Sequence, residues 1–281
     1  MGNLYVIATP IGNMEDISKR AIDILNNSDL ILCEDTRNSS NLLNYLNIKN
    51  KLVSYHKFNE EERSNEIIDL LKKGKNISLI TDAGTPCISD PGSILVKKCY
   101  ENGIEVFGIP GASAVITALS ISGLNISNFA FYGFLERKKS SQQEHLKIIK
   151  ENDIEIAVFY ESPRRILDTL INIKEIMDNP YMVVLNDLTK KFERKYYGDT
   201  EKVINELENN KNYELGEYVI IVLKNKLEKR SDDILTPEAI LIDIIVKDKC
   251  SMKEAIKKAS INKIYSKNTY YDASIRLKNI L

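Results

Sequence analysis

Histidine is scarce in this chain of 281 residues, since only His56 and His145 are present. This scarcity argues against a histidine-rich metal site and leaves few candidates for a Ser-His-Asp hydrolase. Cysteine is also sparse, and its members are scattered without metal-binding or redox spacing, which is typical of buried free thiols. The four cysteines are Cys33, Cys87, Cys99 and Cys250.

Several common binding signatures are missing. The chain contains no G-x-G-x-x-G motif, no G-x-x-x-x-G-K motif and no cluster of metal ligands. These absences disfavour a dinucleotide dehydrogenase, a nucleotide triphosphatase and a zinc hydrolase. We therefore expect no metal.

No apolar run is long enough to cross a bilayer. The chain also enters a strand at Leu4 without a leader that is first charged and then apolar. We therefore expect a cytoplasmic protein with no membrane partner. The net charge of −1 does not indicate a nucleic-acid binder, yet residues 224–281 carry 13 Lys or Arg against 8 Asp or Glu. That basic end could contact phosphate, although lysine-rich helices are often merely soluble.

What the chain does contain is organised around residues 76–92, N-I-S-L-I-T-D-A-G-T-P-C-I-S-D-P-G. Residues 77–81 form an apolar run typical of a buried strand, and turn residues fill the rest. Pro86 and Pro91 remove N–H donors, so the loop offers carbonyls and carboxylates more than amides. Such a loop suits a cationic ligand better than a phosphate. The alternative is a plain strand-to-helix connection with Asp90 near the helix cap.

Strands and helices alternate over the first 120 residues, which predicts a mainly parallel sheet with helices on both faces. Ligands of such sheets collect at the carboxyl ends of the strands. We expect four loops to converge there: 9–13, 34–37, 82–92 and 110–113. A second α/β unit with a mixed sheet follows.

The predicted domains are an N-terminal α/β lobe at 1–120, a C-terminal α/β lobe at 121–224, a charged linker at 225–235 and a small helical domain at 236–281. Thr236 is the predicted N-cap of the first helix of that last domain, with Pro237 at the first helical position. Three short helices with lysines resemble a helix-turn-helix unit, and a docking or oligomer tail is the alternative.

Six short motifs occur in order along the chain. They are T-P-I-G-N at 9–13, E-D-T-R at 34–37, D-A-G-T-P at 82–86, S-D-P-G at 89–92, P-G-A-S-A at 110–114 and F-Y-E-S at 159–162. On these motifs the chain resembles the bacterial 16S ribosomal RNA cytidine 2′-O-ribose methyltransferases of the tetrapyrrole-methylase superfamily. The resemblance runs from about Leu4 to Leu223 and extends into the C-terminal helices.

The resemblance implies an α/β fold of two αβα lobes with a cleft between them, plus a small C-terminal helical domain. It also implies a homodimer that binds S-adenosylmethionine in the cleft and methylates a cytidine in the decoding region of 16S ribosomal RNA in the small ribosomal subunit. Ser113 could equally be a helix N-cap and Tyr160 a core aromatic. The implied cofactor-binding residues are Pro10, Asp82, Ala83, Gly84, Thr85, Pro86, Ser113, Ala114, Tyr160, Glu161, Leu185, Asn186, Gly216, Glu217 and Tyr218.

Three positions depart from the family pattern. Arg164 stands where such proteins often have histidine, Asn186 and Asp187 replace the usual Arg-Glu pair, and Leu215 replaces a common lysine before Gly216. These departures weaken the transfer of roles in the second lobe more than in the first.

The implied reaction is in-line attack of a ribose 2′-hydroxyl on the cofactor methyl group. Asp35 and Asp90 are the candidate catalytic carboxylates. The alternative for Asp90 is a helix cap, and the alternative for Arg37 is an ion pair with Asp35. A solvated surface is the alternative for residues 137–139 and for the lysines of the last domain. The expected RNA contacts are Asn13, Arg37, Arg137, Lys138, Lys139 and Lys190.

Two other functions stay open. One is a corrin-ring or diphthine-type methyltransferase of the same superfamily, and the other is a non-catalytic ribosome-assembly factor that retains the fold. Motifs 9–13 and 34–37, together with the helical tail, favour RNA as the substrate. The intact loop at 82–86 favours an enzyme.

Overall fold

The structure is a computed structural model of the chain and describes residues 1–224, 235–261 and 264–278. The chain divides into two compact units, Met1–Asn225 and Lys226–Leu281. The predicted linker at 225–235 lies outside the described residues, apart from Leu235. Within the described part of the chain, no helix combines the length and apolar character needed to span a bilayer.

The first lobe is a five-stranded sheet with strand order β3-β2-β4-β1-β5, in which every pair is parallel. Its strands are β1 (Leu4–Ile7), β2 (Leu30–Cys33), β3 (Leu52–Ser54), β4 (Ile77–Leu79) and β5 (Val106–Ile109). Its helices are α1 (Lys19–Asn27), α2 (Thr36–Tyr45), α3 (Glu60–Lys72), α4 (Ser93–Glu101) and α5 (Ala114–Ser120).

The sequence of the central strands explains why this sheet is covered on both faces. All four residues of β2, L-I-L-C, are buried. Ile31 packs into one hydrophobic cluster and Leu32 into the other, because successive side chains of a strand point to opposite faces. Replacing Leu32 with alanine would cost about 2–5 kcal/mol of folding free energy.

Side-chain caps begin several helices of this lobe at the edge where the strands end. Ser18 accepts a hydrogen bond from Ala21 N at the start of α1, and Asp35 accepts one from Arg37 N at the start of α2. Ser113 caps α5 in the same way, as its alternative interpretation predicts. These caps fix the loops that leave β1, β2 and β5.

The second lobe is also a five-stranded sheet, with strand order β6-β7-β10-β8-β9. Only β6 and β7 are parallel, and the other pairs are antiparallel, so the predicted mixed sheet is confirmed. Its strands are β6 (Ala130–Phe134), β7 (Ile156–Glu161), β8 (Tyr181–Asn186), β9 (Arg194–Asp199) and β10 (Tyr218–Leu223). Its helices are α6 (Lys139–Glu151), α7 (Ile166–Met177) and α8 (Thr200–Glu208).

The second compact unit contains α9 (Pro237–Asp248), α10 (Met252–Ile261) and α11 (Lys267–Lys278). Thr236 caps α9 by accepting from Ala239 N at 3.2 Å, and Pro237 is the first helical residue, as predicted. Leu241 and Tyr270 are fully buried in the small core that the three helices share. The helix-turn-helix interpretation and the domain boundaries stay predictions.

Candidate active site

A cleft of about 770 Å³ lies within the first compact unit and is lined by loops of both sheets. A volume of this size accommodates a small-molecule cofactor. The lining includes eleven of the fifteen residues expected to bind the cofactor. These eleven are Asp82, Ala83, Gly84, Thr85, Ser113, Ala114, Tyr160, Glu161, Gly216, Glu217 and Tyr218.

The loop between β4 and α4 has an unusual backbone. Gly84, Cys87, Ser89 and Gly92 all have positive φ, at 80°, 69°, 67° and 134°. For Cys87 and Ser89 this conformation costs free energy, and such strain concentrates at functional sites. At Gly92, an added Cβ would lie 2.5 Å from Cys87 Sγ, so this position requires glycine. The loop is thus folded tightly on itself beside the cleft.

Two contacts hold this loop in place. Thr9 N donates to Gly84 O at 2.8 Å and Gly84 N donates to Thr9 O at 3.1 Å, which pins the loop to the end of β1. At the other end, the buried carboxylate of Glu60 accepts from Gly92 N at 2.8 Å and from the Tyr55 hydroxyl at 3.3 Å. The Glu60 side chain, which belongs to α3, therefore accepts a hydrogen bond at the N-terminus of α4.

Asp90 is consequently not the cap of α4, and that alternative interpretation is wrong. Gly92 is the N-cap residue and makes no side-chain cap hydrogen bond. The carboxylate of Asp90 lines the cleft instead. The Glu60 carboxylate of α3, about thirty residues earlier in the chain, accepts the hydrogen bond from Gly92 N that the local sequence suggested for Asp90.

Asp90 belongs to an acidic cluster with Glu34 and Asp82. Burial, reinforced by the negative charge of Glu34, raises the pKa of Asp90 to about 6. Burial and the charge of Asp82 also raise the pKa of Glu34. The cluster therefore contains carboxyl groups that exchange protons closer to neutral pH than ordinary carboxylates do.

The hydroxyl of Thr81 lies between Glu34 and Asp90. It donates to Glu34 Oε2 at 3.4 Å and is also hydrogen-bonded to Asp90. One hydroxyl carries one proton and can donate to only one carboxylate at a time. The two carboxylates therefore compete for a single donor, which favours a proton on one of them.

Asp35, the other candidate catalytic carboxylate, has the opposite environment. Arg37 binds it through two hydrogen bonds, Nε to Oδ1 at 3.1 Å and a terminal nitrogen to Oδ2 at 2.7 Å. These bonds lower the pKa of Asp35 to about 2. Asp35 does not line the cleft, and the ion pair weighed as the alternative for Arg37 is present.

The opposite wall of the cleft is aromatic and apolar. The Tyr160 ring lies 5.6 Å from the Phe134 ring and 4.8 Å from that of Phe131, which supports it from behind. The Tyr160 hydroxyl accepts from Val115 N of α5, so this residue joins the two lobes. The apolar or aromatic lining of this wall is Phe134, Tyr160, Pro163, Leu188, Tyr218 and Val219.

Glu161 is almost completely buried and its carboxylate is used within its own lobe. It accepts from Thr169 Oγ1 at 2.7 Å and from Ser162 N at 2.7 Å, and it lies 3.2 Å from Arg165. These contacts lie within the second lobe and fix the end of β7. Glu161 stays a predicted cofactor residue, since it also lines the cleft.

The loops at the ends of β8 and β10 are tied to each other. Asn186 Nδ2 donates to Leu215 O at 3.1 Å. Gly216 has φ of 84°, and an added Cβ would lie 2.4 Å from the Asp187 carboxylate. Two of the departures from the family pattern, Asn186 and Asp187, therefore pack against the glycine turn that lines the cleft.

Pro10, Pro86, Leu185 and Asn186 are buried and do not line the cleft. They stay predicted cofactor residues, and their buried positions are suited to supporting the loops that line the cleft. The sequence interpretation also missed several lining residues. Thr81 ends the predicted central strand, and Phe134 and Leu188 resemble core residues, so no local signal marked them.

The residues expected to contact RNA fall into two groups. Arg137 and Lys138 are exposed before α6, and Lys139 Nζ is 3.9 Å from Glu175. Asn13 N donates to Thr189 Oγ1 at 3.1 Å, between the two lobes. Lys190 is paired with Asp187 at 2.8 Å and with Glu217 at 3.0 Å, so both carboxylates already balance its charge.

Among the residues that the structure describes, no group of three or more His, Cys, Asp or Glu side chains is arranged to hold a metal ion.

Comparison with known proteins agrees with this architecture. Residues 3–204 match the model of the Tetrapyrrole (Corrin/Porphyrin) Methylases. A protein of Buchnera aphidicola subsp. Schizaphis graminum, named Ribosomal RNA small subunit methyltransferase I, is 41% identical over 281 residues, which cover 99% of this chain and 97% of that protein.

Two solved structures share the fold over more than three quarters of the chain. A diphthine synthase matches with a TM-score of 0.64 and 16% identity over 79% of this chain and 90% of that chain. A uroporphyrin-III C-methyltransferase from Thermus thermophilus, complexed with S-adenyl homocysteine, matches with a TM-score of 0.55 and 15% identity over 78% and 97%. The chain thus belongs to the tetrapyrrole (corrin/porphyrin) methylase family, in the group of its ribosomal RNA small subunit methyltransferase I members.

Proposed function

We propose that this protein uses S-adenosylmethionine to methylate the ribose 2′-hydroxyl of a cytidine in the decoding region of 16S ribosomal RNA. The name of the related Buchnera protein supports methylation of small-subunit ribosomal RNA. One observation carries the chemical part of the proposal. The cleft brings a carboxyl group with a pKa of about 6 opposite an aromatic wall.

The residues of the cleft fit the cofactor of this family, S-adenosylmethionine. The loop that contains Gly84 and Thr85 offers acceptor groups, and the acidic cluster adds negative charge that favours a cationic sulfur. The opposite wall offers the faces of Phe134 and Tyr160, which attract cations and flat rings. When bound, S-adenosylmethionine supplies an activated methyl group on a positively charged sulfur.

The residues that we expect to hold the cofactor are the lining members of the predicted set. Gly84, Ser113 and Gly216 lie on loops that the Thr9 bridge, the α5 cap and the Asn186 hydrogen bonds fix in place. Positioning by such fixed loops is the main contribution a protein makes when the cofactor carries the chemical activation.

Asp90 is the proposed general base. A base must bind a proton readily at working pH, and the raised pKa of Asp90 makes it a stronger base than Asp35, whose pKa is about 2. Asp90 would accept the proton of the ribose hydroxyl as the new oxygen–carbon bond forms, while the bond from the methyl group to sulfur breaks and the sulfur leaves as a neutral thioether. A positioned base contributes typically ~10²–10⁴-fold to the rate.

Glu34 and Thr81 adjust Asp90 for this role. Glu34 raises the pKa of Asp90 through its negative charge, and Thr81 stabilises the ionised form by donating a hydrogen bond. Glu34 does not line the cleft, so it acts through Asp90 and is a positioning residue.

For the RNA we propose phosphate contacts from Arg37 and from 137–139, with further contacts from the basic helical unit. The Arg37 side chain is 88% exposed even though it is paired with Asp35. Asn13 and Lys190 lie where the two lobes meet, and an incoming phosphate would compete with the carboxylates that now bind Lys190. Deleting residues 231–281 should lower ribosome affinity and reduce its salt dependence.

We also propose that the protein is a homodimer in the cytoplasm, divided into lobes at 1–120 and 121–224, a linker at 225–235 and a helical domain at 236–281. Exposed apolar side chains support self-association, since Phe107 on the edge strand β5 and Ile121 at the end of α5 are 43% and 41% exposed. Sedimentation analysis would measure the mass directly.

The proposal is tested by mapping 2′-O-methyl groups on 16S ribosomal RNA from cells that lack this protein. We expect one cytidine of the decoding region to lose its methyl group, and a plasmid with the wild-type gene to restore it. A plasmid carrying Asp90→Asn serves as the matched control and should restore it poorly. An unchanged methylation map would reject the RNA substrate and leave the corrin-ring and diphthine alternatives.

A further inference from the structure

Phe58 is 96% exposed, more than any other large apolar side chain among the described residues. Leaving a phenylalanine ring in water forgoes the free energy of burying it, so a fully exposed one needs a reason. Its only ring contact within the described structure is an edge-on approach to His56, with ring centroids 6.1 Å apart.

The turn that carries Phe58 is held by hydrogen bonds. Asn59 Oδ1 accepts from His56 N at 2.8 Å, Asn59 N donates to His56 O at 2.9 Å, and Asn59 Nδ2 donates to Ser54 O at 3.3 Å. Asn59 is also the N-cap residue of α3. The backbone is thus fixed while the ring projects into solvent, which is the arrangement of a preorganised contact.

This turn lies beside the acidic wall of the cleft. It leaves the carboxyl end of β3, and Ser54 pairs with Cys33 at the end of β2, so the turn neighbours the segment 34–37. His56 lies close to Glu34, which accepts the hydrogen bond of Thr81 in the cleft lining. Phe58 therefore projects from the same sheet edge as the proposed base.

The side chains around Phe58 suit a nucleic acid. Lys57 is exposed, and the Arg37 guanidinium on the neighbouring segment is 88% exposed. Aromatic rings that stack with bases, together with cations that contact phosphates, are how proteins bind single-stranded RNA. Glu61 and Glu62 at the start of α3 are also exposed, and Lys98 pairs with Glu61 at 2.7 Å. An exposed ring with exposed cations, at the same sheet edge as the proposed methylation site, therefore favours RNA over a protein surface as the partner.

We propose that Phe58 stacks on an unpaired base of the RNA substrate next to the target nucleotide, with Arg37 and Lys57 on the adjoining phosphates. This inference rests on the proposed function, because it assigns a contact for the substrate of the same site. It adds a base-stacking residue that the six sequence motifs do not include.

The test compares full-length wild-type protein with Phe58→Ala, Phe58→Trp and Tyr100→Ala. Tyr100 is the matched control, since it is a 66% exposed aromatic near the C-terminal end of α4, away from the carboxyl ends of the strands. The probe is the small ribosomal subunit from cells lacking this protein. The measurements are Kd by filter binding, KM and kcat for methylation, and Kd for S-adenosylmethionine by calorimetry.

We expect Phe58→Ala to raise the Kd and KM for the subunit roughly ten- to hundredfold, the loss of one stacked base. Its kcat at saturation and its affinity for S-adenosylmethionine should stay within about twofold of wild type. Phe58→Trp should bind like wild type because it keeps an aromatic face, and so should Tyr100→Ala.

Equal Kd values for Phe58→Ala and wild type would overturn the inference, as would a Phe58→Trp protein that binds as weakly as Phe58→Ala. A change in sedimentation without a change in RNA affinity would assign Phe58 to a protein interface instead. If wild type binds subunits without methylating them, the proposed function fails, while the stacking is still decided by the Kd values. Wild type that does not bind subunits would overturn both.

Discussion

The two walls of the cleft come from sheets of different connectivity, and their chemistry differs accordingly. The first-lobe wall contains the acidic cluster, with Asp82 and Asp90 in the lining and Glu34 behind them. The second-lobe wall presents mainly aromatic and apolar side chains, and its buried carboxylate Glu161 is fully occupied by its own lobe. In the proposed function, the first lobe therefore supplies the base and the second lobe supplies aromatic and apolar contacts.

The sheet topologies explain this division. In a parallel sheet all carboxyl ends meet at one edge, so the segments after β2 and β4, which are neighbours, bring Glu34 close to Asp90. In the mixed sheet, the ends of β7 and β8 instead meet the start of β10, where Tyr218 pairs with Glu161 and with Asn186. Fewer loops gather there, and the Asn186 side chain is used in hydrogen bonds between them.

The largest effect is expected from Asp90→Asn. Methylation of undermodified small subunits should fall by roughly 10²–10⁴-fold in kcat, because the variant cannot accept the proton of the ribose hydroxyl. Affinity for S-adenosylmethionine, measured by calorimetry, should fall far less than kcat, because Asp82 still lines the cleft. Asp35→Asn is the matched control, and its loss should be far smaller because Arg37 already lowers the proton affinity of that carboxylate. Equal losses of kcat in Asp90→Asn and Asp35→Asn would contradict the assignment of Asp90 as the base.

A second-lobe change should act on binding instead. Tyr160→Ala removes the ring that faces the acidic wall and should weaken S-adenosylmethionine binding by roughly 10–100-fold, the cost of one lost aromatic contact and its cavity. Tyr160→Phe, which loses only the hydrogen bond from Val115, should bind nearly as wild type does. The measurement is calorimetric titration, combined with kcat across pH. A shifted pH profile in Tyr160→Ala would show that the two walls are not separate in function.

Much of the fold could be predicted from local sequence patterns. The run at 77–81 predicted a buried strand, and β4 covers Ile77–Leu79. Thr236 and Pro237 predicted the start of α9 because capping depends on adjacent residues. The fold class, with its two lobes and C-terminal helices, is confirmed.

The electrostatics of the site could not be predicted in this way. The pKa of Asp90 depends on Glu34, which is 56 positions earlier in the chain and becomes a neighbour only through the order of β2 and β4. The cap of α4 comes from Glu60 on another helix, so the local candidate, Asp90, was mistaken. Phe134 lines the cleft although its apolar side chain is typical of a core position. Such contacts arise from tertiary structure.

A smaller effect, on the pH profile, is expected from Glu34→Gln. Removing this negative charge lowers the pKa of Asp90 from about 6, so the acid limb of kcat/KM should move to lower pH. Activity at pH 5 should rise relative to activity at pH 8. Glu101→Gln, an exposed carboxylate at the end of α4, is the control and should leave the limb in place. An unmoved limb in Glu34→Gln would remove Glu34 from its positioning role.

The smallest effect concerns stability, and it tests the same carboxyl group without any substrate. Because its pKa is raised from 3.8 to about 6, Asp90 binds protons more tightly in the folded than in the unfolded state. The free energy of unfolding therefore falls as pH rises between those two values and stays reduced above them. The full shift corresponds to about 3 kcal/mol, and screening of the partly exposed group reduces this to roughly 1–2 kcal/mol.

Asp90→Asn removes this penalty, so at pH 7.5 it should be more stable than wild type by roughly 1–2 kcal/mol, or several degrees in Tm. At pH 4 the two proteins should differ much less, since Asp90 is then mostly protonated in the folded state. Thermal unfolding followed by circular dichroism at both pH values measures the difference, and Asp35→Asn should show no such gain at neutral pH. A loss of stability at pH 7.5 in Asp90→Asn would mean that the ionised carboxylate is stabilised in the cleft, contrary to its proposed role as a base.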